Sequence, residues 1–264
     1  MPELTQSWAD TVSVHHLLTH THGITGLDKP TSFKVGSQYA YSQIGYDILA
    51  SITERIPGKT FTTQSAELFK LCGMENSFHP DIKKYTHLVK GYTEEKDGSI
   101  EFDRTSFENC AAAGSFISTA GDLLIWNNCF YAGKLLKKET MKLLTTKQKG
   151  VVRQHPIFGK TCYGYGITVD TKNELLQWGQ TGFAPGFISM APGFISMDFY
   201  FPETQTSVIV LENVAYDTDD LKKTFQYHTS VLDIVRKDLL LRKANPQKAS
   251  KPKANYPYLL YLPK

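Results

Sequence analysis

The hydrophobic period of this chain changes near residue 155, and that change limits the folds open to it. Before it, apolar residues recur at helical spacing. Ile44, Ile48, Ile52 and Ile56 repeat every four positions from Ser42 until Pro57-Gly58, with Leu49 beside them, which predicts a helix with one buried stripe. "VSVHHLLTHTHGI" predicts a short helix followed by a turn at Gly23. "TFTTQSAELFKLCG" and "STAGDLLIWNNCFYAGK" predict two more, the second opened by a capping-box-like pair, Thr119 and Asp122, and "KKETMKLLT" adds a shorter one.

After about residue 155, "TCYGYGITVD", "ELLQWGQTG", "FISMDFYF" and "TSVIVLEN" are short, rich in β-branched and aromatic residues, and separated by turn residues. They predict antiparallel strands, with "PETQT" as a hairpin connection. "DTDDLKKTFQYHTSVLDIVRKDLLL" predicts one long closing helix, acidic first and basic late as the helix dipole favours. The expected fold is α+β: a helical layer, three or four antiparallel strands, and a helix closing on the sheet. Residues 1–155 form the mainly helical part, 156–241 the sheet and closing helix, and 242–264 a basic flexible tail with a weak docking contact at 256–262.

Residues 184–190, "APGFISM", recur unchanged as residues 191–197. Seven is odd, so a strand holding both copies would turn each side chain of one copy to the face opposite its counterpart. The second copy is therefore expected to supply the strand and the first to be partly extruded, tied only to the segment carrying "GQTG".

At 264 residues with a formal charge of +3, the chain can bury a sizeable core and carries no dense basic face before residue 236. Nucleic acid is an unexpected partner. No apolar run approaches the roughly 20 residues that span a bilayer, and the opening lacks the pattern of a signal peptide. The compartment stays unassigned. The four cysteines, Cys72, Cys110, Cys129 and Cys162, have no metal-like spacing and read as buried reduced thiols. His16 and His20 share a helix face at i, i+4, yet no carboxylate or cysteine stands near in sequence to complete a metal site, so packing around Gly23 is the reading. No metal or cofactor is expected.

Two groups could carry chemistry. Tyr41, with Gln43, stands where the exposed N–H groups of a helix entrance would favour phenolate and lower its pKa, making a base; the same position also suits a packed aromatic. "GQTG", residues 179–182, ends a predicted strand, and its glycines permit close approach of another backbone or a ligand, or simply an edge turn. A Ser-x-x-Lys pair at a helix head would supply a nucleophile beside its amine. No serine is read here as followed by lysine three positions on. Thr31 and Thr146 each precede a lysine by three positions, but neither opens a helix.

The order of segments "VSVHHLLTHTHGI", "FKVGSQYAYSQIGYDILASITERIPGKTF", "AAAGSFISTAGDLLIWNNCFYAGKLLKKETMKLL", "YGYGI" and "WGQTGFAPGF" resembles the serine β-lactamase and penicillin-binding-protein-like superfamily. The similarity runs from about residue 10 to about residue 235, and is greatest to the class C-like branch with its D-aminopeptidases, carboxypeptidases and esterases. The resemblance implies a β-lactamase/transpeptidase-like fold and acyl transfer on ester, amide or β-lactam substrates. That family carries a Ser-x-x-Lys pair, a Tyr-x-Asn motif, and a Lys or His followed by Thr or Gly and then Gly. By resemblance Tyr41 matches the tyrosine, a residual general base, and Gln43 the asparagine. Gln180, Thr181 and Gly182 match the third element and would bind substrate.

Both motifs depart from the family: Gln43 is one methylene longer than asparagine, and Gln180 is neutral where the family has a cation or imidazole. The Ser-x-x-Lys helix of the family lies upstream of "HHLLTHTHGI", so the expectation is an N-terminally truncated chain without its nucleophile. Such a chain should be inactive, since members of a catalytic constellation act as a unit. Large apolar patches, a loose assembly, or a protein partner covering the exposed core are then expected. The alternative is a non-catalytic pseudoenzyme that binds peptide or cell-wall ligands or a protein partner. A different nucleophile such as Cys110 has no support in the spacing.

Overall fold

The computed structural model describes residues 5–56, 58–80, 88–102, 111–183, 193–217 and 219–245. Within them the helical part comprises α1 (Val14–Leu18), α2 (Gln43–Arg55), α3 (Phe61–Cys72), α4 (Ala120–Phe130) and α5 (Lys138–Leu144). A small hairpin, β1 (Tyr92–Glu94) with β2 (Ile100–Phe102), interrupts it. There follow β3 (Val152–His155), β4 (Gly159–Cys162), β5 (Thr168–Lys172), β6 (Leu175–Gly182), β7 (Ile195–Phe201), β8 (Thr206–Glu212) and β9 (Val214–Ala215). Two helices close the chain, α6 (Leu221–Thr224) and α7 (Gln226–Ala244). The main sheet runs β5-β6-β7-β8 and is antiparallel throughout, the α+β arrangement expected. The three-residue strands β1 and β2 are too short to show a period, and β9 joins β1 in parallel.

The α2 stripe is buried as its spacing requires. Ile48 joins Trp8, Leu17 and Ile24 in one core cluster, with Ile44, Leu49 and Ile52 packed alongside. Ile56 lies just past the helix end and is 82% exposed. At α4, the Thr119 hydroxyl accepts the Asp122 N–H at 3.1 Å, the cap anticipated. Asp122 does more than open a helix: its carboxylate accepts from the Asn76 N–H and the Ser77 hydroxyl, each at 2.8 Å, tying the segment after α3 to α4.

Register divides the sheet into two working faces. Met197, Phe199 and Phe201 of β7 meet Leu232 and Leu239 of α7, each such burial contributing roughly 1.5–3 kcal/mol. Asp198 and Tyr200, which alternate with them, face the other way. There Asn127 of α4 donates to Asp198 Oδ1 at 2.7 Å, and Tyr131 stacks on Tyr200 at 4.4 Å between centroids. The sheet is thus held between α4 and α7.

The structure corrects several expectations. The closing helix is broken at Phe225, whose ring leaves the helical line to pack with Ile195 and Ala215. The helix after Ser13 ends at Leu18, short of the Gly23 turn. Cys72 and Cys129 are joined in a disulfide, because the C-terminus of α3 meets α4 with the two Cα atoms 5.7 Å apart. Cys162 is a free thiol, and Cys110 lies outside the described residues. The second "APGFISM" supplies the start of β7, as its hairpin register with β8 requires. That same copy also pairs with "GQTG", through Thr181–Met197 and Gly182–Ser196, since an interior strand serves neighbours on both edges. The first copy, and the tail from residue 246, lie outside the described residues.

Candidate functional site

The site is built on a strained turn. His20 has φ +54°, a left-handed conformation costly for a residue other than glycine. Hydrogen bonds hold it there. The Thr19 hydroxyl donates to the His15 carbonyl at 2.7 Å and lies 2.8 Å from the Thr21 hydroxyl. The Ala40 N–H donates to the His20 carbonyl at 2.9 Å, and the Ser42 N–H to His20 Nδ1 at 3.2 Å. His20 therefore fixes the segment that carries Tyr41 and caps α2. Since Nδ1 accepts, the neutral ring carries its proton on Nε2.

Around His20 four tyrosine rings converge: Tyr41 at 4.7 Å, Tyr46 at 5.0 Å, Tyr39 at 5.5 Å and Tyr163 at 5.6 Å between centroids. Burial pushes the imidazole down to about 3, with the His22 and Arg153 charges adding to the effect, so it is neutral at pH 7. Tyr41 departs from the expectation of a lowered pKa. Its side chain keeps 43% exposure, yet crowding around the phenol raises its pKa and the Arg153 charge only partly offsets this. Desolvation disfavours phenolate more than the helix entrance favours it. Gln43 heads α2, half-buried, and its side chain makes no hydrogen bond among the described residues.

The facing wall is β6. Gly179 has φ +149°, and a Cβ there would stand 2.0 Å from the Asp198 carbonyl oxygen, so only glycine lets β6 approach β7. Next to it the Gln180 amide donates to the Tyr163 hydroxyl at 3.0 Å and accepts from Arg153 Nη1 and, at 3.4 Å, from the Thr168 hydroxyl. Thr181 Oγ1 lies 2.8 Å from His155 Nε2. Pairing of β6 with β5 stops at Gly179, so residues 180–182 keep one edge without a strand neighbour among the described residues.

Tyr41 and the Gln180-Thr181-Gly182 element thus belong to one cluster, joined through His20, Tyr163 and Arg153. Gln43 does not enter that network. Sequence reasoning missed Arg153, His155 and Tyr163; the alternation "VRQH", with Arg153 and His155 two residues apart, was the available sign of a strand presenting both to one side. His16 and His20 do not share a helix face, because α1 ends at Leu18.

The nucleophile expectation also needs a correction at the level of sequence. One Ser-x-x-Lys quartet exists, Ser250-Lys251-Pro252-Lys253. It lies outside the described residues. Thr93 also precedes Lys96 by three positions but stands on β1, a strand and not a helix head. Among the described residues, no group of three or more histidine, cysteine or carboxylate side chains could hold a metal, and no helix is long and apolar enough to cross a membrane.

The Beta-lactamase family model matches residues 1–233, and the chain belongs to that family. It is similar to the mitochondrial serine beta-lactamase-like protein LACTB of Mus musculus and of Homo sapiens, 26% identical to each over 157 residues, or 52% of this chain. The match spans 28% of the length of those relatives. Among solved structures, D-amino acid amidase from Ochrobactrum anthropi SV3 in complex with D-phenylalanine superposes with a TM-score of 0.73 at 17% identity, over 90% of this chain and 75% of that one. The octameric penicillin-binding protein homologue from Pyrococcus abyssi superposes with a TM-score of 0.65 at 22% identity, over 77% and 52%. These likenesses establish the β-lactamase/transpeptidase-like fold.

Proposed function

We propose that this chain carries the substrate-binding walls of a β-lactamase-related acyl-transfer site, and that the 264-residue polypeptide by itself does not turn over acyl substrates. The observation that carries this reading is the environment of Tyr41. Burial raises the pKa of its phenol, and among the described residues the cation that acts on it is Arg153, already engaged by Gln180, with no lysine ammonium beside it. A tyrosine so placed is a poor proton acceptor at pH 7, and over residues 10–235 no serine is followed by lysine three positions on. The free edge beside residues 180–182 suits an extended ligand that adds backbone hydrogen bonds to β6. The amidase that this fold resembles holds D-phenylalanine, and the ligand class proposed here is likewise a small or peptidic acyl compound.

The test is intact-mass measurement after exposure to a fluorophosphonate and to benzylpenicillin, with ligand titration in parallel. No added mass together with saturable peptide binding is the expected result. A stoichiometric covalent adduct would overturn the claim of inactivity. A second version, a protein that works as a hydrolase once an upstream Ser-x-x-Lys segment is supplied, is checked by co-expressing such a segment from a family member and assaying ester hydrolysis.

A further inference from the structure

A segment that the cleft does not use concentrates the net positive charge of the chain. Residues 134–149, "KLLKKETMKLLTTKQK", hold six lysines against one glutamate, a formal +5 in a chain whose total is +3, so the remaining residues sum to −2. The near-balanced total conceals this segment, and the fold corrects the reading that no dense basic face precedes residue 236. Lys134, Lys137, Lys138, Lys142, Lys147 and Lys149 are all exposed, and among the described residues none of them forms an ion pair. Lys138 and Lys142 stand one turn apart on α5, about 6 Å along its axis. That is less than the screening length of roughly 8 Å at physiological salt, and like charges at this spacing weaken a helix. The arrangement costs stability within the chain, and an anionic surface brought against it would relieve that cost.

The lysines stand on a fixed scaffold. The Lys134 N–H donates to the Cys129 carbonyl at 3.3 Å, which holds the segment before α5 against the end of α4. At the other end of α5 the Leu144 carbonyl accepts the Tyr165 N–H at 3.0 Å, and the Gln148 N–H donates to the Tyr163 carbonyl at 2.9 Å. The Gln148 side-chain amide donates to the Leu143 carbonyl at 3.2 Å and the Thr146 carbonyl at 3.1 Å, so the turn bearing Lys147 and Lys149 is tied to the helix. Met141 and Leu144 are half-buried, and Lys138, Lys142 and Leu143 are exposed. Leu143 is 52% exposed, an apolar side chain standing next to Lys142 among the charges.

We propose that this surface docks the protein on an anionic phospholipid bilayer, with the α5 lysines against the headgroups and Leu143 entering between them. The composition favours lipid over nucleic acid. Residues 134–149 contain no arginine, the residue whose planar fork suits single phosphates, and no aromatic ring on which a base would stack. An exposed leucine has a place at a bilayer interface and none on a phosphodiester backbone. Lysine is a compact point charge that responds to the diffuse potential of an anionic leaflet, each one near the surface giving about five-fold in affinity. The contact lies on the bilayer and not through it, since no described helix is long and apolar enough to cross.

The experiment sediments the full 264-residue chain with vesicles of phosphatidylcholine containing about 30% phosphatidylserine, and with vesicles of phosphatidylcholine alone. The anionic vesicles should bind at least about ten-fold more tightly, and raising salt from about 0.1 M to about 0.5 M should release the protein. Replacing Lys138, Lys142 and Lys147 together by glutamine should weaken binding about a hundred-fold. The same loss of charge at the exposed Lys29, Lys96 and Lys222 should change it by less than about three-fold. Leu143→Ala should weaken binding several-fold while leaving its salt dependence in place. Thermal melts of each variant report folding; if the Lys138, Lys142 and Lys147 variant fails to fold, Leu143→Ala and the salt series on the unaltered chain decide. No association at millimolar anionic lipid overturns the proposal, as does an equal loss from the two triple variants. Tighter binding to a short duplex DNA than to the vesicles, with the same dependence on Lys138, Lys142 and Lys147, overturns the choice of lipid.

Discussion

At Gly179 one hydrogen atom separates a formed strand from a collision. A methyl group there would sit 2.0 Å from a backbone oxygen of β7, at a φ of +149° that side chains avoid. Gly179→Ala should therefore destabilise the protein by about 3 kcal/mol or more, read as a shift in urea midpoint. Gly182 differs, although it closes the same four-residue "GQTG". The nearest atom to its added Cβ is the rotatable Ser196 hydroxyl, so Gly182→Ala should cost under about 1 kcal/mol. The sequence says that this segment permits close approach but not which glycine needs it. The same holds for Tyr41: its position before a helix is legible, whereas the direction of its pKa depends on rings that arrive from elsewhere in the chain.

Between elements, the Cys72–Cys129 bridge closes a separation of 57 residues and clamps the end of α3 to α4. Replacing both cysteines by alanine should lower stability by about 2–4 kcal/mol, chiefly by freeing the unfolded chain. A non-reduced tryptic digest should contain the Cys72 and Cys129 peptides as one cross-linked species. Spacing argued against any paired role for these cysteines because it speaks only of local geometry. Helix caps are another matter. Thr119 with Asp122, and the Ile stripe of α2, lie within single turns and were readable for that reason. The break at Phe225 was not, since the force that bends the chain there is the pocket formed by Ile195 and Ala215.

For the whole molecule, buried titratable groups set the dependence of stability on pH. Burial raises Asp198 to about 7, opposed by its bond from Asn127, and raises Glu212 to about 7. A carboxyl with a raised pKa binds more protons when folded than when unfolded, so its contribution to stability falls as pH rises from about 4 to about 7. His20, His22, His155 and His228 are held at about 3 to 4, chiefly by burial. They bind fewer protons when folded, so their contribution falls as pH drops below about 6.5. With four imidazoles against two carboxyls, stability should decline on acidification from pH 6.5 to 4. Asp198→Asn keeps an oxygen for Asn127 and removes the charge. It should leave stability unchanged near pH 4 and raise it by about 1–3 kcal/mol at pH 8, measured by thermal melts across that range.

What the sequence by itself determined is the order and type of the main elements, the second repeat as the strand, and the family to which the segments conform. Those depend on period, caps and turn residues, all of which act over a few positions. Only the tertiary structure decided that Arg153 and His155 stand behind Gln180 and Thr181, that His20 gathers four tyrosines, and that Gln43 stays outside their network. Each of those juxtapositions joins residues far apart in the chain, and the burial that keeps the imidazoles neutral and pushes the phenols up exists only once the layers have closed around them.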